Sequence, residues 1–204
     1  MSSNMSASVR QYWAGLRVLL VLTVLLGIVY PLAVTGVGQL LFRSQANGSL
    51  VSSGGHVVGS SLIGQNFTDD KGNPLPQWFQ PRPSAAGKDG YDPTSSSASN
   101  LGPDDADLVK SIQGRRAAAA KLDGVDPASV PPDAITSSGS GLDPQISPAY
   151  AYEQVDRVAT ARGLDAAKVK ALVAGFVQGR GLGFLGEQTV DVLQLNLALG
   201  RLGG

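Results

Sequence analysis

No cysteine occurs among the 204 residues, and that absence removes a disulfide framework, thiolate metal ligands and a cysteine nucleophile together. Any folded region is then held by its core alone. Histidine is nearly absent too. The single His56 excludes a two-histidine metal site and leaves a Ser-His-Asp hydrolase one possible base. No GxSxG elbow accompanies it, since Ser140 has glycine on both sides but at the wrong offset. Neither a Gly-rich loop ending in Lys-Ser or Lys-Thr nor a phosphorylatable DKTG string is present; the nearest string, Asp70-Lys71-Gly72-Asn73, lacks the threonine and precedes Pro74 in a turn-like loop. The chain does not itself hydrolyse ATP by either route.

Charge is missing altogether from residues 18–42, twenty-five positions bracketed by Arg17 and Arg43. As a helix this run reaches roughly 37 Å, enough for a hydrocarbon core of about 30 Å with some tilt. Hydrocarbon solvates no backbone groups, so the run is expected to be helical. A secretory h-region of about 7–15 residues is much shorter, which favours a retained anchor. Arg10 and Arg17 precede the run with no acid before it. The positive-inside rule then puts the N-terminus in the cytoplasm and the rest of the chain outside. That gives a tail over 1–15, a transmembrane helix over 16–43 and one extracytoplasmic domain over 44–204. This domain carries thirteen bases against sixteen acids, a balance that argues against nucleic acid as partner.

Within the run, Pro31 removes a backbone donor, while Gly27, Gly36 and Gly38 leave the helix surface notched for another helix. From 45 to 102 the chain is rich in Gly, Ser, Asn and Pro. Short apolar runs at Leu50-Val51, 56–58, Leu62-Ile63 and Trp78-Phe79 read there as strands. Residues 69–76 and 91–98 read as exposed loops. A helix is expected from about Pro103 to Leu122, with Gly124 beyond its end. Ser147-Pro148 starts another that Gly163 stops, and Asp165 caps a third, in which Val169, Leu172, Val173, Phe176 and Val177 recur at helical spacing. Residues 190–199 fit period two and helical spacing nearly equally, with a lean to strand first and helix later. The fold class is α+β: one N-terminal membrane helix, then a single mixed domain of short strands and about three helices.

Three strings invite chemistry. Gly181-Leu182-Gly183-Phe184-Leu185-Gly186 spells GxGxxG, yet a helix precedes it and no acid follows about twenty residues on, so it reads as a turn. Asp104, Asp105 and Asp107 miss the calcium-loop spacing and suit a solvated helix start. Residues 133–147 are dense in small polar groups, and physics alone leaves a tight turn after a strand at Ala134-Ile135 and a contact surface equally open.

Taken together, several blocks resemble the C subunit of the Kdp-type potassium-transporting ATPase of prokaryotes. They are YPLAVTGVGQLLF (30–42), QANGSLV (45–51), VVGSSLIGQNF (57–67), WFQPRPSA (78–85), GYDP (90–93), SNLGP (99–103), VPPDAITSSGSGLDPQISP (130–148), QVDRVATARGL (154–164) and VDVLQLNLAL (190–199). Gln145, Gln188 and Asp191 depart from the pattern. The resemblance implies a plasma-membrane complex with a channel-like potassium-binding subunit and a P-type ATPase subunit, in which this chain is a catalytic chaperone raising ATP affinity. It implies no catalytic residue and leaves cofactor-binding residues open, with ATP-binding expected through the ATPase subunit, by coupling across the membrane or by direct nucleotide contact. Matching blocks point to Tyr30, Pro31, Gly36 and Gln39 for packing in the membrane. For contacts outside it they point to Gln45, Asn47, Gly48, Arg82, Ser84, Asn100, Ser138, Gly139, Ser140, Gly141, Leu142, Asp143 and Pro144. An outer cap that orders potassium entry is the alternative, and an anchored exported hydrolase using His56 the remote one.

Overall fold

The computed structural model describes residues 7–202, which separate into two compact units, 1–49 and 50–204. Residues 1–6, the first part of the expected tail, lie outside the described residues.

The first unit is one long apolar helix in three stretches: α1 (Ala7–Val24), a π-helical turn (Leu25–Val29) and α2 (Tyr30–Leu41). Its 35 residues are long and apolar enough to cross a membrane, and none of its most apolar window is buried in protein. The helix starts at Ala7, well before residue 16, so a length of about 52 Å exceeds a hydrocarbon core and carries Arg10 and Arg17 on its first turns. The π turn has a local cause. Pro31 cannot donate to the carbonyl four residues back, and Tyr30 N–H donates instead to Leu25 O, five residues back. Phe42 leaves helical geometry at φ −133°, ψ 45°, and α3 (Arg43–Ala46) closes the unit as a single turn.

The second unit begins with an antiparallel hairpin, β1 (Leu50–Ser53) and β2 (His56–Ser60), kinked by a bulge between Val51 and Ser52. Residues 61–105 then run almost without regular structure. Leu62-Ile63 contributes only an isolated bridge to Ser60, and Trp78-Phe79 forms no strand. Phe79 is nevertheless fully buried, because side chains rather than a sheet satisfy its backbone. Tyr91, expected on an exposed loop, is buried as well.

Helix α4 (Ala106–Asp123) starts three residues later than the proline suggested: Asp105, not Pro103, sets the end by accepting from the N–H groups of Asp107 and Leu108. Gly124 closes it in the left-handed region. Ala134-Ile135 belongs to a short helix, α5 (Pro132–Ile135), not a strand, since Pro132 at its first position presets helical φ. After β3 (Gln145–Ile146) come α6 (Pro148–Glu153) and α7 (Val155–Arg162), which meet at Gln154, and then α8 (Ala166–Phe176). Ser147 accepts from Tyr150 N–H, Asp165 from Ala167 N–H, and Gly163 stops α7, all at the expected positions. The last segment is strand then helix: β4 (Val177–Gln178) pairs with β5 (Thr189–Asp191), which also pairs with β3, and α9 (Val192–Leu202) follows.

The core lies between α6 to α9 and the three-stranded sheet. Ile146, Val158, Val169, Val173, Val190, Leu195 and Leu199 meet there around Phe79. In α8 the predicted stripe splits by depth, with Val169 and Val173 fully buried and Leu172 and Phe176 packed at the edge, while Val177, expected on the same helix, begins β4.

Candidate functional site: a knot of loops beside two clefts

The domain residues singled out by sequence converge on one place. Ser84 Oγ donates to Gly141 O at 2.6 Å and accepts from the N–H groups of Ala86 and Tyr91 at 3.1 and 2.8 Å. Arg82 Nη1 reaches Asp143 Oδ2 at 3.2 Å, and Tyr91 OH donates to Arg82 O at 2.9 Å. From the other loop, Ser138 N–H donates to Pro83 O at 3.2 Å, and Ser140 O accepts from Ser97 N–H and Ser96 Oγ at 3.0 and 2.9 Å. Leu142 O accepts from Gly64 N–H at 2.9 Å, and Pro144 O from Val192 N–H at 3.0 Å. Four chain segments are thus tied by main-chain groups, the bonding that lets irregular loops be buried.

Gly141 sits at the centre with φ +68°, where an added Cβ would lie 2.6 Å from Ser97 O and 2.8 Å from Ala86 N. Its neighbour Gly139 has open space around it. Asn100 stays outside the knot, its amide donating to Ala98 O two residues away. Burial pushes the Tyr91 hydroxyl well above the usual tyrosine range, and the Asp143 charge adds to it. That tyrosine is a neutral hydrogen-bond donor.

Arg82 links the knot to two open clefts. One, of about 250 Å³, is lined by Arg82, Asn66, Gln80, Asp89, Arg115 and Tyr150. The other, of about 470 Å³, is lined by Arg82, Asp133, Asp143, Gln145, Glu187 and Thr189. Nε of Arg82 is buried without a partner. Both clefts mix charges of either sign with proline and alanine walls, an arrangement suited to binding and orienting. Among the described residues no group of three or more His, Asp or Glu side chains is placed to hold a metal. His56 is exposed at the start of β2.

The residues expected in the membrane and just after it lie in the first unit. Tyr30, Pro31 and Gly36 are exposed on α2. Gln39 and Asn47 exchange amide hydrogen bonds at 3.3 and 3.1 Å, and Asn47 Nδ2 donates to Arg43 O at 2.6 Å. Gln45 O accepts from Gly48 N–H at 3.1 Å. These contacts turn the chain as it leaves the helix.

Sequence reasoning missed a second polar cluster beneath the knot. Gln154 Oε1 accepts from Gln80 N–H and its Nε2 donates to Gln80 O. Asn196 brackets Phe79 in the same way, at 2.9 and 3.0 Å. Arg157 donates to Asp123 at 2.6 Å and to the carbonyls of Pro76 and Trp78. Arg162 caps the segment with its guanidinium 4.1 Å from the Trp78 ring centre. The available signal was a polar residue on an otherwise apolar helix stripe, Gln154 and Arg157 in QVDRVATARGL and Asn196 in VDVLQLNLAL. Nearby, burial raises the Glu153 carboxyl to about 7, helped by the Asp123 and Asp133 charges, and its Oε1 has no partner. Burial also raises Asp123, against the pull of Arg157.

The chain is of the class in which a helix long and apolar enough to cross a membrane precedes a mixed α+β domain, here with a knot of loops next to two open clefts as its most structured polar site. The family model described as KdpC, K+-transporting ATPase, c chain, matches residues 12–201. The chain is 58% identical to the potassium-transporting ATPase KdpC subunit of Kineococcus radiotolerans, over 98% of this chain and 97% of that one. Proteins of the same name from Mycobacterium tuberculosis and Streptomyces avermitilis are 53% and 49% identical, over 95% and 99% of this chain and 99% and 98% of theirs. The chain belongs to the KdpC family. The three departures are accommodated: Asp191 accepts from Gln194 N–H at the start of α9, Gln145 reaches Gln178 across the sheet at 3.3 Å, and Gln188 lines the larger cleft.

Proposed function

We propose that this chain is the non-catalytic accessory subunit of an ATP-driven potassium uptake complex. Its partners are a channel-like potassium-binding subunit and a P-type ATPase subunit, and it raises the ATP affinity of the latter. The observation that carries the reading is the family match over residues 12–201, nearly the whole described chain. In support, the family blocks meet in a knot built to hold loops in place, with Arg82 of its Arg82–Asp143 pair lining two open clefts and Asp143 the larger of them.

Arg10 and Arg17 orient the chain with the domain outside, whereas ATP is cytoplasmic. Any effect on ATP affinity then travels through the apolar helix or through a partner, and the coupling is reciprocal: ATP binding must tighten the grip of the ATPase subunit on this chain by the same factor. The same topology supports the second reading, an outer cap ordering potassium entry.

The test is impermeant thiol labelling of intact cells carrying one cysteine at Ser2 or at Ser95 in this cysteine-free chain. Labelling at position 95 alone fits indirect coupling or the outer cap. Labelling at position 2 alone overturns the orientation and makes direct nucleotide contact the better account. ATP KM of the reconstituted complex with and without the chain then separates coupling, which lowers KM, from a cap, which moves only the potassium dependence.

A further inference from the structure

The GxGxxG string forms the tip of the hairpin joining β4 and β5, and that tip is apolar and uncovered. Gly181 and Leu185 exchange main-chain hydrogen bonds at 2.9 and 2.8 Å, closing the turn. Leu182 and Gly183 adopt φ +53° and +83°, and between them the turn throws three large side chains outward. Leu182 is 84% exposed, Phe184 69% and Leu185 53%. None of the three belongs to the core cluster. Scattered single apolar residues need no explanation, but three within four positions at a projecting tip do.

We infer that this tip seats in the surface of an anionic lipid bilayer. Charge points to that occupant. Residues 166–186 contain Lys168, Lys170 and Arg180 and no acid, within a domain whose acids outnumber its bases. Lys168 and Lys170 are exposed on α8, the helix leading into the hairpin. Arg180 adjoins the apolar turn, and a base beside exposed apolar side chains matches a surface with anionic headgroups above hydrocarbon. Arg180 pairs at 2.8 Å with Glu187, but both are exposed, so the pair is weak in water and leaves Arg180 free to turn to a phosphate. Reach points the same way. Eight residues join α2 to β1, a contour of at most about 28 Å, which bounds how far Leu50 can lie from the end of the apolar helix.

The experiment uses the full chain with the single substitution Phe184→Cys, spin-labelled, in vesicles of phosphatidylcholine with phosphatidylglycerol. Collisions with oxygen, which partitions into lipid, are compared with collisions with a water-soluble nickel chelate; a label at exposed Ser95 is the reference. The expected result is an oxygen-to-nickel ratio several-fold above that at position 95. Adding Leu182→Ser and Leu185→Ser, or raising the salt concentration, should bring the ratio down. Unchanged thermal unfolding of the substituted chains shows that the fold is intact. A label at 184 as accessible to nickel as the one at 95 places the tip in water and overturns the inference. Protection from both reagents means protein covers the tip, a second copy in this preparation, and overturns it equally. A ratio unaffected by salt and equal in pure phosphatidylcholine removes the anionic lipid from the account.

Discussion

Two glycines of one turn make opposite demands at the scale of single residues. Gly141 combines a left-handed backbone with main-chain atoms inside 3 Å of any Cβ, whereas Gly139 has neither. Gly141→Ala is therefore expected to destabilise the domain by more than about 2 kcal/mol, and Gly139→Ala by less than about 0.5 kcal/mol. Thermal unfolding of the two variants checks the contrast; equal melting points would mean that the knot relaxes around a side chain. Glu153 makes a different kind of prediction. It keeps its proton up to about 7 when folded against an ordinary value of 4.5. Between those values the unfolded chain has released a proton that the folded chain retains, so stability falls as pH rises through the window. Glu153→Gln removes that contribution. Its melting temperature should gain on the parent chain between about pH 5 and about pH 8, and identical pH profiles would show that Glu153 is solvated like any surface acid.

Helix ends carry the next prediction, and they show why some elements were legible and others not. Ser147 Oγ accepts from Tyr150 N–H at 3.1 Å and donates to Asp133 Oδ1 at 2.9 Å, while Asp165 only caps α8. Ser147→Ala should thus cost about 2 kcal/mol and Asp165→Ala about 1 kcal/mol, measured by denaturant unfolding, with the order reversed if Asp133 finds water instead. Both caps, like the stops at Gly124 and Gly163, were readable because cap and capped group lie within a few residues. The strand expected at Trp78-Phe79 failed for the opposite reason. Phe79 is core and Trp78 packs against it, but their backbone partners are Asn196 for Phe79 and Arg157 for Trp78, 117 and 79 positions away, and no local pattern announces a side chain that replaces a sheet. Ala134-Ile135 failed through Pro132, whose fixed φ outweighed the β-branched signal. In the candidate site, the blocks around Arg82, Ser84 and Gly141 were found through family likeness, and the knot they form was not foreseeable from any one of them.

At the scale of the whole molecule, the division into two compact units matters more than any single contact. A membrane helix with nothing around it and a domain with its own core can be perturbed separately. Gly36 is the place to do so, because it leaves a notch on α2 with no atom within 4 Å of a would-be Cβ. Small residues let a second helix approach closely in a bilayer, where packing rather than the hydrophobic effect drives association. A leucine there fills the notch by a change confined to the first unit. Gly36→Leu should leave thermal unfolding of the domain within about 0.5 kcal/mol of the parent while lowering co-purification with the channel-like and ATPase subunits. His56→Ala is the companion variant: its side chain is exposed at the start of β2, so assembly and potassium-stimulated ATP hydrolysis should be unchanged. Full assembly of Gly36→Leu would move the contact to another face of the helix or to the domain. Loss of activity in His56→Ala would revive the anchored hydrolase, because an accessory subunit has no use for a lone exposed imidazole as a base.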